Sequence, residues 1–248
     1  MSGPINDTSL DLSVVIPFYD EEDNLEPLVT ELEAVLQSTG RTFEIICIDD
    51  CSTDTSLAVV KRMQATRPFL RVVRHRLNSG ESIGQATGFH LARGAVVITM
   101  DADQQHDPAD IPAFLTALGP EVAAVCGIRK NREDNWVRRV SSRIANRFRN
   151  VVTGDRISDA GCTFRAIRRP ALREVPVFNG LHRFLPSILR YQGYQVVEIP
   201  VHHRPRTRGQ AKYGIGNRLW RGLRDCLAMR WYRDRAPRGS RWSGEETP

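Results

Sequence analysis

Two hydrophobic periods alternate along the first half of the chain. Short, nearly continuous apolar runs have the length and composition of buried parallel strands. Between these runs, apolar residues recur at helical spacing; after the first run, for example, Leu25, Leu28 and Leu32 fall on one helical face. The pattern predicts strands at residues 12–18, 43–50, 69–75, 95–100 and 122–128, separated by helices.

Strands that alternate with helices predict an α/β fold, in which right-handed crossovers build a doubly wound, mostly parallel sheet. Ser52 or Thr53 is the predicted N-cap of the second helix. Pro108 suits the first turn of the helix that follows the fourth strand. Ligands of such sheets bind at the carboxyl ends of the strands. Polar residues at those ends are therefore the first candidates for a functional site.

The second half of the chain is less regular. Its predicted elements are a basic helix at residues 135–152, a short strand within 160–168, a helix at 180–193, a strand within 194–205, and a basic amphipathic helix at about 215–232. A basic, glycine-containing loop precedes the last helix. The predicted organisation is a flexible N-terminus (1–11), one domain (12–234, with halves 12–128 and 129–234) and a disordered tail (235–248).

Composition and charge narrow the possible classes. With 41% hydrophobic residues among 248, the chain can bury a packed core. The net charge of +6 favours an anionic partner, which leaves nucleic acid, anionic lipid and nucleotide phosphates open. The five cysteines form no CxxC pair and predict a reduced, cytosolic protein. Because the sequence has no signal peptide and no apolar run of ~18 residues, we expect a protein that is soluble or attached to a membrane surface.

The segment MDADQQHDP, residues 100–108, places many oxygen-bearing side chains directly after the fourth strand. In an extended segment Asp101 and Asp103 would point to the same side and could share a divalent cation, with Gln105 adding an amide oxygen. The alternative is an acidic turn that caps the next helix, and the spacing leaves both interpretations open. His106 is interpreted as incidental, and its substitution is expected to leave metal dependence unchanged.

Polar residues also follow the first two strands. Asp49 and Asp50 end the second strand, where acids commonly accept hydrogen bonds from a ribose or base. Helix capping explains residues 52–54 well and explains these two acids less well. Tyr19, after the first strand, is interpreted either as a platform for a base or as a buried aromatic residue.

Seven motifs occur in a characteristic order: VVIPFYDEEDNL, EIICIDDCSTD, NSGESIGQATGFHLARG, VVITMDADQQHDP, CGIRKNR, DAGCTFRAIRR and RTRGQAKYG. This order resembles that of family 2 glycosyltransferases with a GT-A fold. It is most similar to the polyprenyl-phosphate branch, which includes dolichol-phosphate mannosyltransferase. Each motif alone is a weak signal, but seven in order are specific. The resemblance covers residues 12–231, nearly the whole chain.

The resemblance implies a nucleotide-sugar donor, a divalent cation (Mg²⁺ or Mn²⁺) and a polyprenyl phosphate acceptor. The implied donor-binding residues are Pro17, Tyr19, Glu21, Asp49, Asp50, Ser52, Asn78, Gly80, Asp101, Ala102, Asp103 and Arg129. The implied metal ligands are Asp101, Asp103 and Gln105. The implied catalytic residues are Asp103, Arg129, Arg206 and Lys212, and the implied contacts to the acceptor phosphate are Arg138, Arg139, Arg206 and Lys212.

Four residues depart from the family's pattern without removing a metal or phosphate ligand. Asparagine, leucine, glycine and serine are usual in the family at the positions of Asp20, Gln104, Thr163 and Ala211. These departures leave the identity of the donor and of the acceptor open.

The implied chemistry is a single displacement with inversion at the cytosolic face of a membrane. An acceptor phosphate is already ionised near neutral pH and needs no strong base. The stretch VFNGLHRF offers only His182 as a base, and packing or phosphate contact is the preferred interpretation of that residue. The alternatives are transfer to a saccharide or protein hydroxyl, nucleic-acid binding through the basic half, and a catalytically dead membrane scaffold. Nucleic-acid binding is disfavoured because the sequence carries no RNP-like or zinc motif.

The predicted C-terminal helix combines arginines with an apolar stripe. The stripe consists of Leu219, Trp220, Leu223, Leu227 and Trp231. Such a helix either lies on an anionic membrane surface or docks on the domain's own sheet. We predict docking near Leu219 and membrane contact nearer Trp231, with a membrane partner protein as a further possibility. The oligomeric state stays open.

Overall fold

The computed structural model describes residues 10–129, 146–205 and 218–236, with side chains from residue 222 onward in the last stretch. Its strands are β1 (Leu12–Phe18), β2 (Phe43–Asp49), β3 (Leu70–Arg74), β4 (Val96–Thr99), β5 (Val122–Arg129), β6 (Arg165–Arg168) and β7 (Gln195–Val201). Its helices are α1 (Glu22–Ser38), α2 (Ser56–Gln64), α3 (Glu81–Leu91), α4 (Ile111–Ala117), α5 (residues 146–153), α6 (Leu181–Tyr191) and α7 (Arg218–Arg235).

The seven described strands form one sheet in the order β3-β2-β1-β4-β6-β5-β7. β6 runs antiparallel to β4 and β5, and the other neighbouring pairs are parallel. The predicted α/β class with a doubly wound, mostly parallel sheet is confirmed. Because β1, β2 and β4 run in the same direction, their carboxyl ends meet at one edge of the sheet, where a ligand site is expected.

Helices cover both faces of the sheet. α1, α2 and α4 pack on one face, where Val14 and Ile16 of β1 belong to the same core cluster as Leu28 and Phe114. α3, α6 and α7 pack on the other face, where Val15 of β1 joins a second cluster. Successive side chains of a strand point to opposite faces, so β1 contributes to both cores.

Two glycines let α3 lie unusually close to β1. A Cβ atom on Gly88 would stand 2.1 Å from Val15, and one on Gly84 would stand 2.7 Å from Pro17. Gly84 and Gly88 are one helical turn apart and form a smooth surface on the buried side of α3. Pro17, an implied donor-binding residue, therefore packs against this helix at the carboxyl end of β1.

The second helix begins later than its capping signals predict. α2 starts at Ser56, so the predicted N-cap at Ser52 or Thr53 is wrong. Both residues instead fasten a loop: Ser52 Oγ accepts the Asp20 N–H at 3.1 Å, and the Thr53 N–H donates to Asp20 Oδ1 at 2.7 Å. These bonds join the loops that follow β1 and β2. The predicted nucleotide site lies at these strand ends, so the bonds would make it rigid.

The predicted helix after β4 is divided. Residues Pro108–Asp110 form a 3₁₀ turn and α4 follows directly. Asp107 accepts the Ala109 N–H at 2.9 Å, so the capping interpretation holds for this acid.

The remaining predictions fall partly outside the described residues. These are the N-terminal segment 1–9, the start of the predicted basic helix, the basic loop, and the tail from 237. Among the helices described, none is both long and apolar enough to cross a membrane.

Candidate active site

The loop of residues 101–107, called the metal-binding loop for the ligand role predicted above, begins two residues after β4 and is a turn, not an extended segment. β4 ends at Thr99, and Gln104 has a φ of 59°, which reverses the chain. The premise of an extended segment was therefore wrong. Both acids lie in this turn, and both of their charges act on the pKa values of Glu81 and His106. Their joint use as ligands of one cation stays a prediction.

Two hydrogen bonds and one buried side chain fix the shape of this loop. The Gln105 N–H donates to Asp103 Oδ1 at 3.1 Å, and Gln104 Nε2 donates to the carbonyl of Asn24, at the start of α1, at 2.9 Å. Ala102 is buried in the apolar core between the two acids. The carboxylates are therefore held by a backbone that is tied to the body of the domain.

His106 packs beneath the loop through contacts that the sequence did not predict, while its interpretation as incidental to metal binding stays a prediction. The ring is 2% exposed, and Nδ1 lies 3.4 Å from the Asp101 N–H. It stacks on Phe164 at a centroid distance of 5.3 Å and meets Cys162 Sγ through Nε2 at 4.0 Å. Burial lowers the pKa of His106, and Nδ1 accepts the Asp101 N–H. Its role is positional, and the expectation about metal dependence stays a prediction.

Gln105 joins the metal-binding loop to the chain after β7. Its carbonyl accepts the Arg204 N–H at 2.9 Å, and its Nε2 lies 3.4 Å from the Arg204 carbonyl and 3.5 Å from His203 Nε2. Arg204 in turn contacts Glu31 at 2.6 Å and Asp107 at 2.8 Å. The Gln105 side chain is thus engaged by protein, while its predicted role as a metal ligand stays a prediction.

The chemistry of this loop fits a hard divalent cation. Carboxylate oxygens are the ligands that Mg²⁺ and Mn²⁺ prefer, and Mg²⁺ sites commonly use one or two carboxylates completed by water and substrate phosphates. Within the described ranges, no cluster of three or more histidine, cysteine or acidic residues is arranged to hold a metal by itself. A site of Asp101 and Asp103 would therefore need phosphate oxygens from a ligand to complete it.

The two acids at the end of β2, Asp49 and Asp50, accept hydrogen bonds from protein groups. Asp49 is fully buried and accepts the Ser52 N–H at 2.8 Å. Asp50 accepts the N–H groups of Ser79 and Gly80 at 2.9 and 2.7 Å and contacts His75 Nδ1 at 2.8 Å. Asp50 therefore holds the loop of Asn78 and Gly80, which precedes α3, against the end of β2.

The end of β1 is also an organised loop. Asp20 has a φ of 50°, and Glu21 receives the Asn24 Nδ2–H at 2.6 Å while its own N–H donates to Ser56 Oγ at 2.8 Å. Tyr19 and Glu21 lie half-buried beside Ser52 on this floor. The structure thus brings the implied nucleoside residues of β1 and β2 together; their contact with a nucleoside stays a prediction.

Arg129 is the last residue of β5. Its Nε and Nη2 donate to the two oxygens of Asp159, both at 2.8 Å, in a bidentate pair. Burial opposes the charge of Arg129, but the hydrogen bond and charge of Asp159 outweigh it and raise the arginine's pKa. Asp101 is close enough to add to this effect. A fixed cation therefore lies within electrostatic reach of Asp101.

The heads of α3 and α6 add a polar cluster that the sequence analysis missed. Ser82 Oγ lies 2.7 Å from His182 Nδ1 and accepts the Gly180 N–H at 2.9 Å, while Arg183 Nε donates to His182 Nε2 at 3.2 Å. Glu81 Oε2 lies 3.6 Å from the same Nε2. An acid in the first turn of a helix is an ordinary helix-start signal, so nothing in the sequence set Glu81 apart.

The bonds around His182 define its protonation. Because Arg183 can only donate, Nε2 must accept and the ring proton must lie on Nδ1, which donates to Ser82. Burial is the main cause that lowers the pKa of His182, to about 3, with the Arg183 charge adding to it. A neutral histidine whose basic nitrogen is already engaged is a poor general base. The preferred interpretation of His182 as a packing residue is therefore consistent with this geometry.

Glu81 should make the stability of the protein depend on pH. Burial, followed by the Asp101 charge, raises its pKa from 4.5 to about 8. The folded state then holds a proton that the unfolded state releases, so this contribution to stability is complete below pH ~4.5 and is lost as pH rises towards 8. We expect Glu81→Gln to melt higher than the wild type at pH 8.5 by roughly 2–4 °C, and by much less at pH 5.

Thermal melts of both proteins across this pH range test the expectation. Added Mn²⁺ should reduce the difference in melting temperature between Glu81→Gln and the wild type, because a cation beside Asp101 and Asp103 lowers the pKa of Glu81. Glu121→Gln, an exposed acid at the start of β5, is the matched control. A constant gap between Glu81→Gln and the wild type at all pH values would contradict the assignment.

Four implied phosphate-binding residues lie outside the described ranges. They are Arg138, Arg139, Arg206 and Lys212. Their roles stay predictions.

Residues 13–176 match the sequence profile of the family described as Glycosyl transferase family 2. An undecaprenyl-phosphate 4-deoxy-4-formamido-L-arabinose transferase of Edwardsiella ictaluri is 37% identical over 206 residues, which cover 82% of this chain and 63% of that protein. A dodecaprenyl-phosphate galacturonate synthase of Rhizobium johnstonii is 33% identical over 229 residues, covering 90% and 68%. The chain thus spans less than two thirds of the first relative.

Solved structures share the fold at low sequence identity. Glucosyl-3-phosphoglycerate synthase from Mycobacterium tuberculosis, in complex with Mn²⁺, UDP-glucose and phosphoglyceric acid, superposes with a TM-score of 0.69 at 17% identity, over 93% of this chain and 82% of that one. A mannosyltransferase from Pyrobaculum calidifontis in complex with GDP-Man and Mn²⁺ gives 0.60 at 18% identity, over 93% and 72%.

Proposed function

The chain belongs to glycosyl transferase family 2, and on that premise we propose that it transfers a sugar from a nucleotide-sugar donor to a polyprenyl phosphate. The two relatives above are, by their names, transferases or synthases acting on undecaprenyl and dodecaprenyl phosphate. The sequence motifs resemble those of the same branch. The donor's sugar differs between these relatives, so the comparisons do not select one for this chain.

The observation that carries the proposal has two parts. Charged residues suited to binding phosphate follow β4 and end β5, and the only histidine considered as a base, His182, already accepts a hydrogen bond from Arg183. Asp101 and Asp103 follow β4, and Arg129 ends β5 within electrostatic reach of Asp101. We propose that these three residues bind a diphosphate and a cation. The Nε2 atom of His182 already accepts the Arg183 Nε–H. A hydroxyl acceptor must lose a proton during the reaction, whereas a phosphate acceptor is already ionised. The site therefore favours a phosphate over a saccharide or protein hydroxyl.

The proposed reaction is one displacement at the anomeric carbon. An oxygen of the acceptor phosphate forms a bond to that carbon as the bond to the donor's diphosphate breaks. The nucleoside diphosphate leaves with the electron pair, and the configuration inverts. Arg129, held by Asp159, stabilises the negative charge that develops on the leaving group. No proton has to move.

A divalent cation is part of this proposal. Bound at Asp101 and Asp103, it would neutralise charge on the donor's diphosphate. Neighbours of the same fold are described with Mn²⁺ and a UDP- or GDP-sugar, which supports a divalent cation without selecting Mg²⁺ or Mn²⁺. We also propose that the reaction takes place at the cytosolic surface of a membrane, where a polyprenyl phosphate would be met, and that Arg206 and Lys212 grip its phosphate.

Two measurements test the function. Melting temperatures recorded with UDP-, GDP- and dTDP-sugars, with and without Mn²⁺, identify the donor, because a ligand at 100 times its Kd stabilises the folded state by about 2.7 kcal/mol. The labelled donor is then incubated with polyprenyl phosphate. We expect a Mn²⁺-dependent melting shift and an acid-labile, lipid-extractable sugar.

The acceptor classes are separated by where the label goes. Label found only in water-soluble saccharide or in protein would replace the phosphate acceptor by a hydroxyl. Salt-dependent binding to random DNA, together with no nucleotide-sugar shift, would overturn the enzyme assignment.

A further inference from the structure

Two neighbouring helices expose apolar side chains on the outside of the domain. Val151 of α5 and Trp231 of α7 are 74% and 65% exposed, and Phe148 and Leu227 accompany them at 48% and 56%. Only two other large hydrophobic side chains in the described ranges are similarly exposed, and both lie in loops. Large apolar side chains that gather on one surface, unlike scattered ones, call for a partner.

α5 and α7 contact each other, and the surface inferred below is built from the exposed residues of both helices. Arg233 Nη1 of α7 donates to the Thr153 carbonyl of α5 at 3.2 Å. Val152 of α5 and Tyr232 of α7 pack against the same core cluster. The inner sides of both helices are therefore turned towards α6 and the sheet, and their outer sides are turned away together.

The outward direction follows from helical geometry. In α7, Cys226 and Met229 are buried against the domain. Leu227 and Trp231 are four residues apart, so they share a face, and that face is opposite to the buried one. The prediction that this helix mixes docking and surface exposure is thus refined: Cys226 and Met229 dock, and neither belongs to the predicted stripe.

Exposed arginines accompany the apolar residues of α7. Arg224, Arg230 and Arg235 of α7 are exposed, and in the part of the chain that the structure describes no carboxylate pairs with them. Asp234, the nearby acid, is paired with Arg233 at 2.9 Å. Apolar side chains within a cationic border complement a lipid surface that carries negative headgroups.

We propose that the outer faces of α5 and α7, the α5–α7 surface, dock the protein on an anionic membrane. The apolar side chains enter the boundary between headgroups and acyl chains, and the arginines pair with anionic headgroups. Asp225 of α7 lies against Gly180, next to His182, so the docked surface and the candidate active site share one scaffold. This inference concerns attachment and requires neither the donor nor the acceptor named above.

Vesicle flotation tests the proposal with the full chain. One set of vesicles is phosphatidylcholine alone, and the other contains phosphatidylcholine mixed with phosphatidylglycerol. The wild type should bind the mixed vesicles and lose binding as salt is raised. The double variant Leu227→Ser/Trp231→Ser should bind at least about tenfold more weakly. Phe148→Ser/Val151→Ser should weaken binding in the same direction.

A matched control separates this surface from exposed hydrophobicity in general. Leu77, in the loop after β3, is 74% exposed, so Leu77→Ser removes a comparable side chain elsewhere. Its vesicle binding should equal that of the wild type, and melting temperatures should show all variants folded. Equal binding to both vesicle types, equal loss in Leu77→Ser, or self-association without vesicle binding would each overturn the proposal. Because no substrate is present, these outcomes are independent of the proposed reaction.

Discussion

Asp103→Ala is expected to reduce sugar transfer by about 10³-fold or more while leaving the fold intact. Asp103 is one of the two carboxylates predicted to hold the cation, and it accepts the Gln105 N–H within the loop after β4. Its removal leaves a single protein carboxylate for the cation, and the charge that the cation would neutralise in the transition state is then poorly stabilised. Initial transfer rates with the donor identified by thermal shift, at saturating Mn²⁺, measure the loss.

The matched control for Asp103→Ala lies in the same loop. Asp107 also carries a carboxylate, but it caps the turn before α4 and pairs with Arg204. Asparagine retains the capping acceptor, so Asp107→Asn should keep the transfer rate within a few fold. The variants should also differ in the Mn²⁺-dependent melting shift, which Asp103→Ala loses. Full activity of the wild type in excess chelator would exclude a metal-dependent reaction.

Arg129→Ala should lower the transfer rate by about 10²-fold. The guanidinium lies within electrostatic reach of Asp101, and it is held rigidly by both oxygens of Asp159. Loss of this cation removes stabilisation that grows as the leaving group gains charge. Because the loss belongs to the transition state, kcat should fall more than KM changes.

A second variant separates catalysis from stability. Arg129→Ala removes the guanidinium that pairs with both oxygens of Asp159, a carboxylate only 9% exposed, which should cost about 3–5 kcal/mol of stability. Arg129→Ala/Asp159→Ala removes both charges and should recover much of the melting temperature. If the transfer rate recovers as well, the arginine acts only through folding and its catalytic assignment is wrong.

The fold was largely predictable because each buried strand is a short apolar run. All five strands predicted in the first half are present, and parallel order follows from the helices between them. The direction of β6 was not predictable. The strand has only four residues, mostly buried, and such a short buried run has the same pattern in a parallel as in an antiparallel strand. Likewise, Ser52 and Thr53 resemble helix caps in sequence, but they are used by Asp20, a residue 32 or more positions away.

The candidate site was predictable where it depends on residue type and unpredictable where it depends on shape. Asp101 and Asp103 were identified by their chemistry, yet the reason given was wrong, since Gln104 turns the chain between β4 and α4. One histidine in a polar segment carries no signal of burial, so the stacking of His106 on Phe164 could not be predicted. The cluster of Glu81 and His182 joins residues about a hundred positions apart, which local patterns do not relate.

The three hydrogen bonds that Asp50 accepts have a consequence for the energetics of ligand binding. A loop that must become ordered around a nucleotide subtracts its conformational entropy from the binding free energy. Here the Ser79 and Gly80 N–H groups and the His75 ring are already fixed on one carboxylate. The entropic cost of ordering this loop is therefore part of the folding free energy of the domain. A donor that contacts the loop does not have to order it on binding.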